Sequence, residues 1–259
     1  QFIHSFWIGE GSLIGYVLSR MFSLPQAATI MGQDAKKQTL VHYFIDFSQI
    51  HLTCVSPIAA KLFERTFNVQ RNISVIPWGI DQEKIVNQND GPVRPIDILG
   101  VGSLTSLKKY DLFLDVIIEL KKELTQLKVI LIGDGAEYDQ LLQKIQRSDI
   151  AHIVELRGSL PHQEVLEYMR KSKILLHTSS YESQGYVFME ALQCGMYTVS
   201  FEVGYIPPSA KSFIVQSKEE MVSTLSKLLP SQLNFDSIPL KSMEETAVDY
   251  LNIYTEDVA

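Results

Sequence analysis

Two glutamates and a glycine form the part of the sequence best suited to ligand chemistry. Glu182 and Glu190 are separated by seven residues, and Gly185 lies between them where a helix is expected to begin. Free backbone N–H groups at a helix start attract phosphate groups, whereas carboxylates accept hydrogen bonds from hydroxyl groups. The combination indicates a ligand that carries both groups, such as a nucleotide joined to a sugar.

A solvated helix face is the alternative interpretation of the two glutamates. Against it, Glu190 lies within residues 187–192, whose other members are apolar and are expected to be buried. A carboxylate in such surroundings needs hydroxyl or cationic partners. We therefore interpret Glu190 as a binding residue.

The composition is that of a globular protein and limits the classes of partner. Of the 259 residues, 46% are apolar and 20% are charged, and 23 basic against 30 acidic residues give a net charge of −7. This balance offers no basic surface, so we expect no nucleic-acid partner. No apolar run reaches about eighteen residues, so no membrane span is expected. Cys54 and Cys194 match no CxxC spacing, which favours reduced thiols of the cytoplasmic type.

Short apolar runs alternate with amphipathic stretches along the chain. This alternation predicts an α/β fold in which parallel sheets are covered on both faces by helices. Polar residues 82–95 divide two series of elements, and we place a domain boundary there. The predicted strands are residues 1–7, 27–31, 51–55, 73–76, 96–101, 128–132, 150–156, 174–177 and 197–201, and the predicted helices are residues 13–22, 56–67, 111–124, 137–146, 161–171 and 243–254.

Glycines and polar residues follow the predicted strands of the second series. Ligands of parallel sheets bind outside the carboxyl ends of the strands, so these residues are candidates for ligand contact. A tight turn at residues 133–135 and a surface arginine at position 157 are the alternative interpretations. The candidates are Gly102, Ser103, Gly133, Gly135, Arg157, Gly158 and residues 178–182 at the end of a further strand.

Two lysines precede the helix that follows the first of these strands. Cations fit poorly at the amino end of a helix, so Lys108 and Lys109 are expected to meet a phosphate group rather than solvent alone. Gly100 and Gly102 begin a dinucleotide-binding fingerprint in front of them, but Thr105 takes the place of the third glycine. A nicotinamide dehydrogenase is therefore disfavoured.

No metal site is expected from the sequence. The six histidines show neither an HExxH motif nor another paired spacing. His177 lies in a predicted apolar strand and is interpreted as a core residue. The GxSxG, P-loop and protein-kinase signatures do not occur either, which disfavours the enzymes that depend on them.

Together these residues give the chain a family resemblance. From about His4 to its end, the chain resembles the carboxyl-terminal two thirds of a retaining GT-B glycosyltransferase of the family 4 type, also called glycosyl transferases group 1. The Glu-x7-Glu run is its most specific element. The residues that carry the resemblance are 101–104 with 108–111, residues 131–135, Arg157 with Gly158, residues 182–190 with their continuation to Gly195, and, in the amino-terminal part, Ser56 with Pro57 and residues 75–81.

The resemblance implies a GT-B fold, an α/β architecture of two Rossmann-like domains with doubly wound parallel sheets. A complete first domain in this family is nearly twice as long as the part before the boundary, so that domain is expected to be incomplete at its amino end. The expected division is residues 1–81 for the acceptor-side domain, 82–95 for the linker, 96–238 for the nucleotide-sugar-binding domain, and 239–259 for a helix that crosses back to the first domain.

The resemblance also implies roles for individual residues. Lys108 and Glu182 are the expected catalytic residues, Glu190 is expected to accept hydrogen bonds from ribose, and N–H groups around Gly185 are expected to hold the distal phosphate. An acceptor side is expected at His4, Gln33 and Asp34. The implied donor-binding set is Gly102, Ser103, Lys108, Lys109, Gly133, Gly135, Arg157, Gly158, Ser159, Leu160, Glu182, Ser183, Gln184, Gly185, Tyr186, Val187 and Glu190.

Two positions depart from the family pattern. Ser103 stands where many members have an arginine, so Lys108 or Lys109 must neutralise more of the phosphate charge. Gln184 stands where an aromatic or apolar residue is usual, and donor specificity is expected to differ there.

The function expected on this basis is transfer of a sugar from a UDP- or GDP-sugar to a glycan or glycolipid acceptor, with retention of configuration and without a metal or another cofactor. It implies a cytoplasmic enzyme of polysaccharide or cell-envelope assembly, with a peripheral contact at the inner face of the membrane as a further expectation. The alternative is a non-catalytic nucleotide-sugar-binding module or partner subunit.

Overall fold

The chain forms two compact units, each with its own parallel sheet. The computed structural model describes residues 1–36, 40–69, 72–82, 85 and 93–256. The first unit comprises Gln1–Ile80, Glu182–Gly185 and Lys241–Ala259, and the second comprises Asp81–Tyr181 and Tyr186–Leu240. Most of the linker predicted at residues 82–95 lies outside the described residues. In the part of the chain that is described, no helix is long and apolar enough to cross a membrane.

The first unit is built on a four-stranded parallel sheet. Its strands are β1 (Ile3–Phe6), β2 (Gln26–Ile30), β3 (His51–Cys54) and β4 (Ser74–Val75), which lie side by side in chain order. Its helices are α1 (Glu10–Phe22), α2 (Pro57–Phe67) and the last helix of the chain, α8 (Met243–Glu256), and its 3-10 turns are Gln33–Ala35, Leu40–Phe44 and Phe47–Gln49.

Helix α2 begins where the sequence predicts. The Ser56 hydroxyl accepts a hydrogen bond from the N–H of Ala59 at 3.2 Å, and Pro57 occupies the first turn, where an N–H group has no partner within the helix. Phe63 of this helix is fully buried in the core of the first unit. The predicted helix start is therefore confirmed.

The two faces of the first sheet bury different clusters. On one face, Ala28 and Ile30 of β2 share a cluster with Phe63 of α2. On the other face, Ala27 shares a cluster with Tyr250 of α8. Because successive side chains of a strand point to opposite faces, the fully buried strand β2 needs both layers. Helix α8 is thus an integral part of the first unit.

Helix α1 leaves one apolar face uncovered. Positions three and four apart lie on the same side of a helix, so its exposed apolar residues form a continuous band, which we name the apolar stripe of α1. The stripe consists of Ile14, Val17, Leu18, Met21 and Phe22, each at least 39% exposed.

The second unit is built on a six-stranded parallel sheet. Its strands are β5 (Ile96–Val101), β6 (Val129–Ile132), β7 (Val154–Leu156), β8 (Ser172–His177), β9 (Tyr197–Ser200) and β10 (Ser212–Ile214), in the order β10-β9-β8-β5-β6-β7. Its helices are α3 (Tyr110–Leu120), α4 (Tyr138–Arg147), α5 (His162–Arg170), α6 (Tyr186–Gln193) and α7 (Lys218–Leu228).

The second sheet grows in one direction and then reverses. Strands β5, β6 and β7 extend to one side, after which the chain returns and places β8, β9 and β10 on the other side of β5. The carboxyl ends of β5 and β8 therefore border the switch point at which open parallel sheets bind ligands. In the described residues, the first sheet has no such reversal.

The strand predicted at residues 150–156 is shorter than expected. The N–H groups of Ile153 and Val154 both donate to the carbonyl of Ile150, at 2.9 and 2.8 Å, so this stretch forms a turn and β7 begins only at Val154. Strand β10 and helix α7 were not predicted.

Candidate functional site

The loops that follow β5, β6 and β7 are in direct backbone contact. A Cβ placed on Gly133, whose φ is +157°, would lie 1.9 Å from the carbonyl oxygen of Gly102. A Cβ on Gly135 would lie 2.5 Å from the carbonyl oxygen of Leu104. The N–H of Gly133 donates to the carbonyl of Gly158 at 2.8 Å. The predicted glycines therefore allow these loops to close together at the carboxyl edge of the sheet.

The loop that carries Lys108 is fastened to the end of β8. The buried hydroxyl of Thr178 donates to the carbonyl oxygens of Lys108 and Lys109, at 2.9 and 3.0 Å. A Cβ on Gly102 would lie 3.5 Å from Cε of Lys108, so the lysine side chain runs along the glycine loop. Lys109 is exposed at the start of α3. Lys108 is thus the lysine that the fold directs along the glycine loop.

A second set of hydrogen bonds joins the loop after β5 to the residues that follow β8. The carbonyl oxygen of Leu107 accepts from the N–H of Ser180 at 2.9 Å, and from the hydroxyls of Ser179 and Ser180 at 3.2 and 3.1 Å. The sequence predicted residues 178–182 as a strand end near the ligand, but it assigned no contact to either serine or to Thr178. Only their position after a strand could have marked them.

Glu190 lies on α6 between two buried residues and is itself partly accessible. Its side chain is 19% exposed, and its Oε1 lies 2.8 Å from Nε2 of His162, the first residue of α5. Tyr186 and Val187 open the same helix, and the amino end of a helix favours anions. This part of the unit can therefore bind an anion at the helix start and a hydroxyl group at the carboxylate. No spacing in the sequence marks His162.

The loop after β7 contains Arg157, which forms an ion pair, and the smaller residues Ser159 and Leu160. The Nε atom of Arg157 is 2.7 Å from Oε1 of Glu155, and the guanidinium group lies 5.2 Å from the ring centroid of Tyr168. These partners favour the interpretation of Arg157 as a surface arginine. Ser159 is exposed and Leu160 is half-buried, so both are accessible beside Gly158.

Residues 182–185 belong to the first unit and are anchored within it. The carbonyl oxygen of Ser183 accepts from the hydroxyl of Ser56 at 2.5 Å. The buried amide of Gln184 accepts from the N–H of Trp78 at 2.9 Å and donates to its carbonyl at 2.5 Å. The Gln184 side chain therefore holds this segment in place.

Glu182 influences a lysine of the same unit. Partial desolvation of the Lys36 ammonium lowers its pKa, and the carboxylate of Glu182 raises that pKa by attraction, as the smaller of the two effects. Lys36 is exposed, and Glu182 is half-buried. The pair places a cation near the carboxylate that was predicted to be catalytic, and Lys36 was not among the predicted residues.

Two of the three residues predicted for the acceptor side have partners within the first unit. The carboxylate of Asp34 accepts from the N–H groups of Ile8 at 2.8 Å and Gly32 at 2.7 Å. His4 Nε2 lies 2.8 Å from the hydroxyl of Thr29. Burial, with a smaller effect from His51, lowers the pKa of His4 to about 4. Both residues thus have structural roles.

The remaining predicted residues are distributed between the units. Within the described residues, no group of three or more His, Cys, Asp or Glu side chains could hold a metal ion. Gln33 is exposed in a 3-10 turn of the first unit, and Gly185 of the same unit has φ +83°. Ser103 is exposed in the second unit, which gathers the glycine loops, Lys108, Lys109 and Glu190. Phosphate and hydroxyl recognition is the chemistry that the second unit can supply.

The family model described as glycosyl transferases group 1 matches residues 81–231, which is more than half of the chain. The mutant S. aureus TarM crystallised with fondaparinux, alpha-GlcNAc-glycerol and UDP superposes with a TM-score of 0.72 at 16% identity, over 97% of this chain and 55% of that one. This likeness confirms the predicted GT-B fold with its two parallel sheets.

Two curated relatives extend the comparison. The gpi3 subunit of phosphatidylinositol N-acetylglucosaminyltransferase from Schizosaccharomyces pombe is 28% identical over 193 residues, which are 71% of this chain and 42% of the relative. An uncharacterized glycosyltransferase of Methanocaldococcus jannaschii is 27% identical over 208 residues, 78% of this chain and 56% of the relative. The chain thus spans about half the length of these relatives.

Proposed function

The chain belongs to the glycosyl transferases group 1 family, and on this premise we propose that it transfers a sugar from a nucleotide-sugar donor to a glycan or glycolipid. The observation that carries the proposal is the carboxyl edge of the second sheet. There the glycine loops, Lys108 and the start of α6 meet the two needs of a nucleotide sugar, namely phosphate binding and hydroxyl recognition.

The donor we propose is a UDP-sugar, with UDP-N-acetylglucosamine as the first candidate. Two comparisons support this choice. The TarM structure contains UDP and alpha-GlcNAc-glycerol, and the gpi3 relative is named as a subunit of an N-acetylglucosaminyltransferase. GDP-sugars are the competing donors.

In the proposed reaction, the bond between the sugar and the diphosphate breaks, and its electron pair leaves with the diphosphate. The acceptor hydroxyl bonds to the same face of the sugar and passes its proton to the departing diphosphate oxygen, so configuration is retained. Lys108 and the N–H groups that open α6 stabilise the charge that grows on the leaving diphosphate. Glu182 is the second proposed catalytic residue. Lys108 and the N–H groups at the start of α6 take the place of a metal ion, so transfer is expected to persist in EDTA.

A lipid-linked acceptor is supported by the gpi3 relative, whose name specifies phosphatidylinositol. An acceptor of this kind lies at a membrane surface, and we place the reaction on the cytoplasmic side, in the assembly of a glycolipid or an envelope polysaccharide.

A second candidate function is donor binding as a partner subunit without catalysis. It is favoured by the gpi3 relative, which is itself named a subunit.

The test is a donor and acceptor screen of the 259-residue chain. Calorimetric titration with UDP and GDP measures nucleotide binding, and release of UDP from UDP-N-acetylglucosamine measures transfer to a short glucan or to phosphatidylinositol in vesicles. Binding of UDP with transfer supports the proposed enzyme. Binding of UDP without transfer to either acceptor supports the subunit. Binding of neither nucleotide would reject both functions.

A further inference from the structure

Helices α5 and α6 pack against each other and bring His162 to Glu190. Leu166 of α5 and Leu192 of α6 are fully buried, so the backbone of each helix is fixed in the core of the second unit. His162 Nε2 and Glu190 Oε1 meet at 2.8 Å, although the histidine side chain is 61% exposed. The contact is therefore set by packed helices, but it lies at the accessible surface of the unit.

We propose that His162 is a positioning residue for nucleotide binding, which holds the Glu190 carboxylate so that its second oxygen accepts hydrogen bonds from the ribose hydroxyls. This role rests on the proposed function of the chain. When the Nε2 proton is present, the imidazole donates to Oε1 in either the neutral or the charged form. It thereby limits rotation of the carboxylate and leaves Oε2 directed to the ligand.

The arrangement separates the two tasks of a carboxylate at a sugar-binding site. One oxygen is fastened by a residue of the protein, and the other is left for the ligand, so the acceptor geometry exists before the nucleotide binds. Such preorganisation improves affinity because less side-chain freedom is lost on binding. Substitution of His162 should consequently weaken contacts to ribose and leave contacts to the phosphates and the base unchanged.

The experiment compares UDP with 2′,3′-dideoxy-UDP, which lacks both ribose hydroxyls. Calorimetry should show that His162→Ala weakens UDP binding roughly five- to tenfold, with no change for the dideoxy nucleotide. His162→Gln, whose amide N–H reaches a similar position, should restore most of the affinity. Gln163→Ala, at an exposed neighbouring position of α5, is the matched control and should bind both nucleotides normally.

The outcomes separate this role from the function on which it rests. If UDP binds normally and His162→Ala changes the affinity for both nucleotides equally, or for neither, the positioning role is wrong and the proposed function stands. If the unmodified chain binds neither UDP nor GDP, both are wrong. Circular dichroism of each variant excludes loss of folding as the cause.

Discussion

The backbone of Gly133 lies against that of Gly102, so closely that a Cβ at position 133 would be 1.9 Å from the carbonyl oxygen of Gly102. The two residues follow neighbouring strands, β6 and β5. Their contact joins the loops on which the proposed phosphate site depends, and no side chain fits between them.

Gly133→Ala is expected to destabilise the second unit by more than about 2 kcal/mol, because the backbone at Gly102 must move and φ is unfavourable for alanine. Scanning calorimetry of the 259-residue chain measures the loss. Gly11→Ala is the control, since Gly11 is in helix α1 with no atom within 4 Å of an added Cβ; it should leave stability unchanged or raise it slightly. Equal melting of the Gly133→Ala variant and the unmodified chain would contradict the loop contact.

The Thr178 hydroxyl should matter for both stability and ligand binding. Thr178→Val leaves the carbonyls of Lys108 and Lys109 without this donor, at an expected cost of about 1–3 kcal/mol. UDP affinity should fall with it, because the loop that carries Lys108 is released. Thr178→Ser retains the hydroxyl and should keep most of both properties. Undiminished stability and UDP affinity in the valine variant would show that the hydrogen bond does not fix the loop.

Acidification should destabilise the first unit through His4. Its folded-state pKa of about 4 is below the ordinary value of 6.5 because burial disfavours the charged form. Between these two values the unfolded chain binds a proton that the folded chain does not, so stability is full above pH 6.5 and falls as the pH drops towards 4.

Both tryptophans, Trp7 and Trp78, belong to the first unit, so fluorescence-monitored denaturation reports on this unit. The comparison is between the unmodified chain and His4→Asn, measured from pH 7 to pH 4. The unmodified chain should lose more stability over this range. If the stability of both proteins fell equally between pH 7 and pH 4, the pH dependence would not come from His4.

The apolar stripe of α1 should tolerate charge. The double substitution Ile14→Lys with Met21→Lys is expected to change the unfolding free energy of the first unit by less than about 1 kcal/mol, because both side chains are more than 60% exposed. Leu13→Lys, on the packed side of the same helix, should be far more destabilising. If the double variant lost as much unfolding free energy as Leu13→Lys, the apolar stripe would have to be covered by other residues.

The sequence predicted the elements and loops whose signals are local. Short continuous apolar runs predicted strands β5 and β6, and Ser56 with Pro57 predicted the start of α2. The glycines at positions 102 and 133 were found because close backbone approach requires a residue without a side chain. Each of these signals lies within a few consecutive residues.

The features that were not predicted depend on which helices and strands pack beside each other in the fold. His162 is an ordinary surface histidine until α5 packs beside α6, and Thr178 acquires its role only because β8 lies next to β5. The two hydrogen bonds of the Gln184 amide join it to Trp78, which is distant in the sequence, so these bonds were not predicted either. Strand β10 is three residues long, which is too short to be recognised as an apolar run.

The most direct test of the account is calorimetric titration of UDP into Lys108→Ala, Glu190→Ala and Lys128→Ala variants. Lys128 is an exposed lysine that precedes β6 at the opposite, amino edge of the sheet, and serves as the matched control. We predict that the first two substitutions raise Kd at least about tenfold, since each removes a charged partner of the nucleotide, and that Lys128→Ala binds normally. Unchanged UDP affinity in both Lys108→Ala and Glu190→Ala would contradict the assignment of the nucleotide site to this edge of the second sheet.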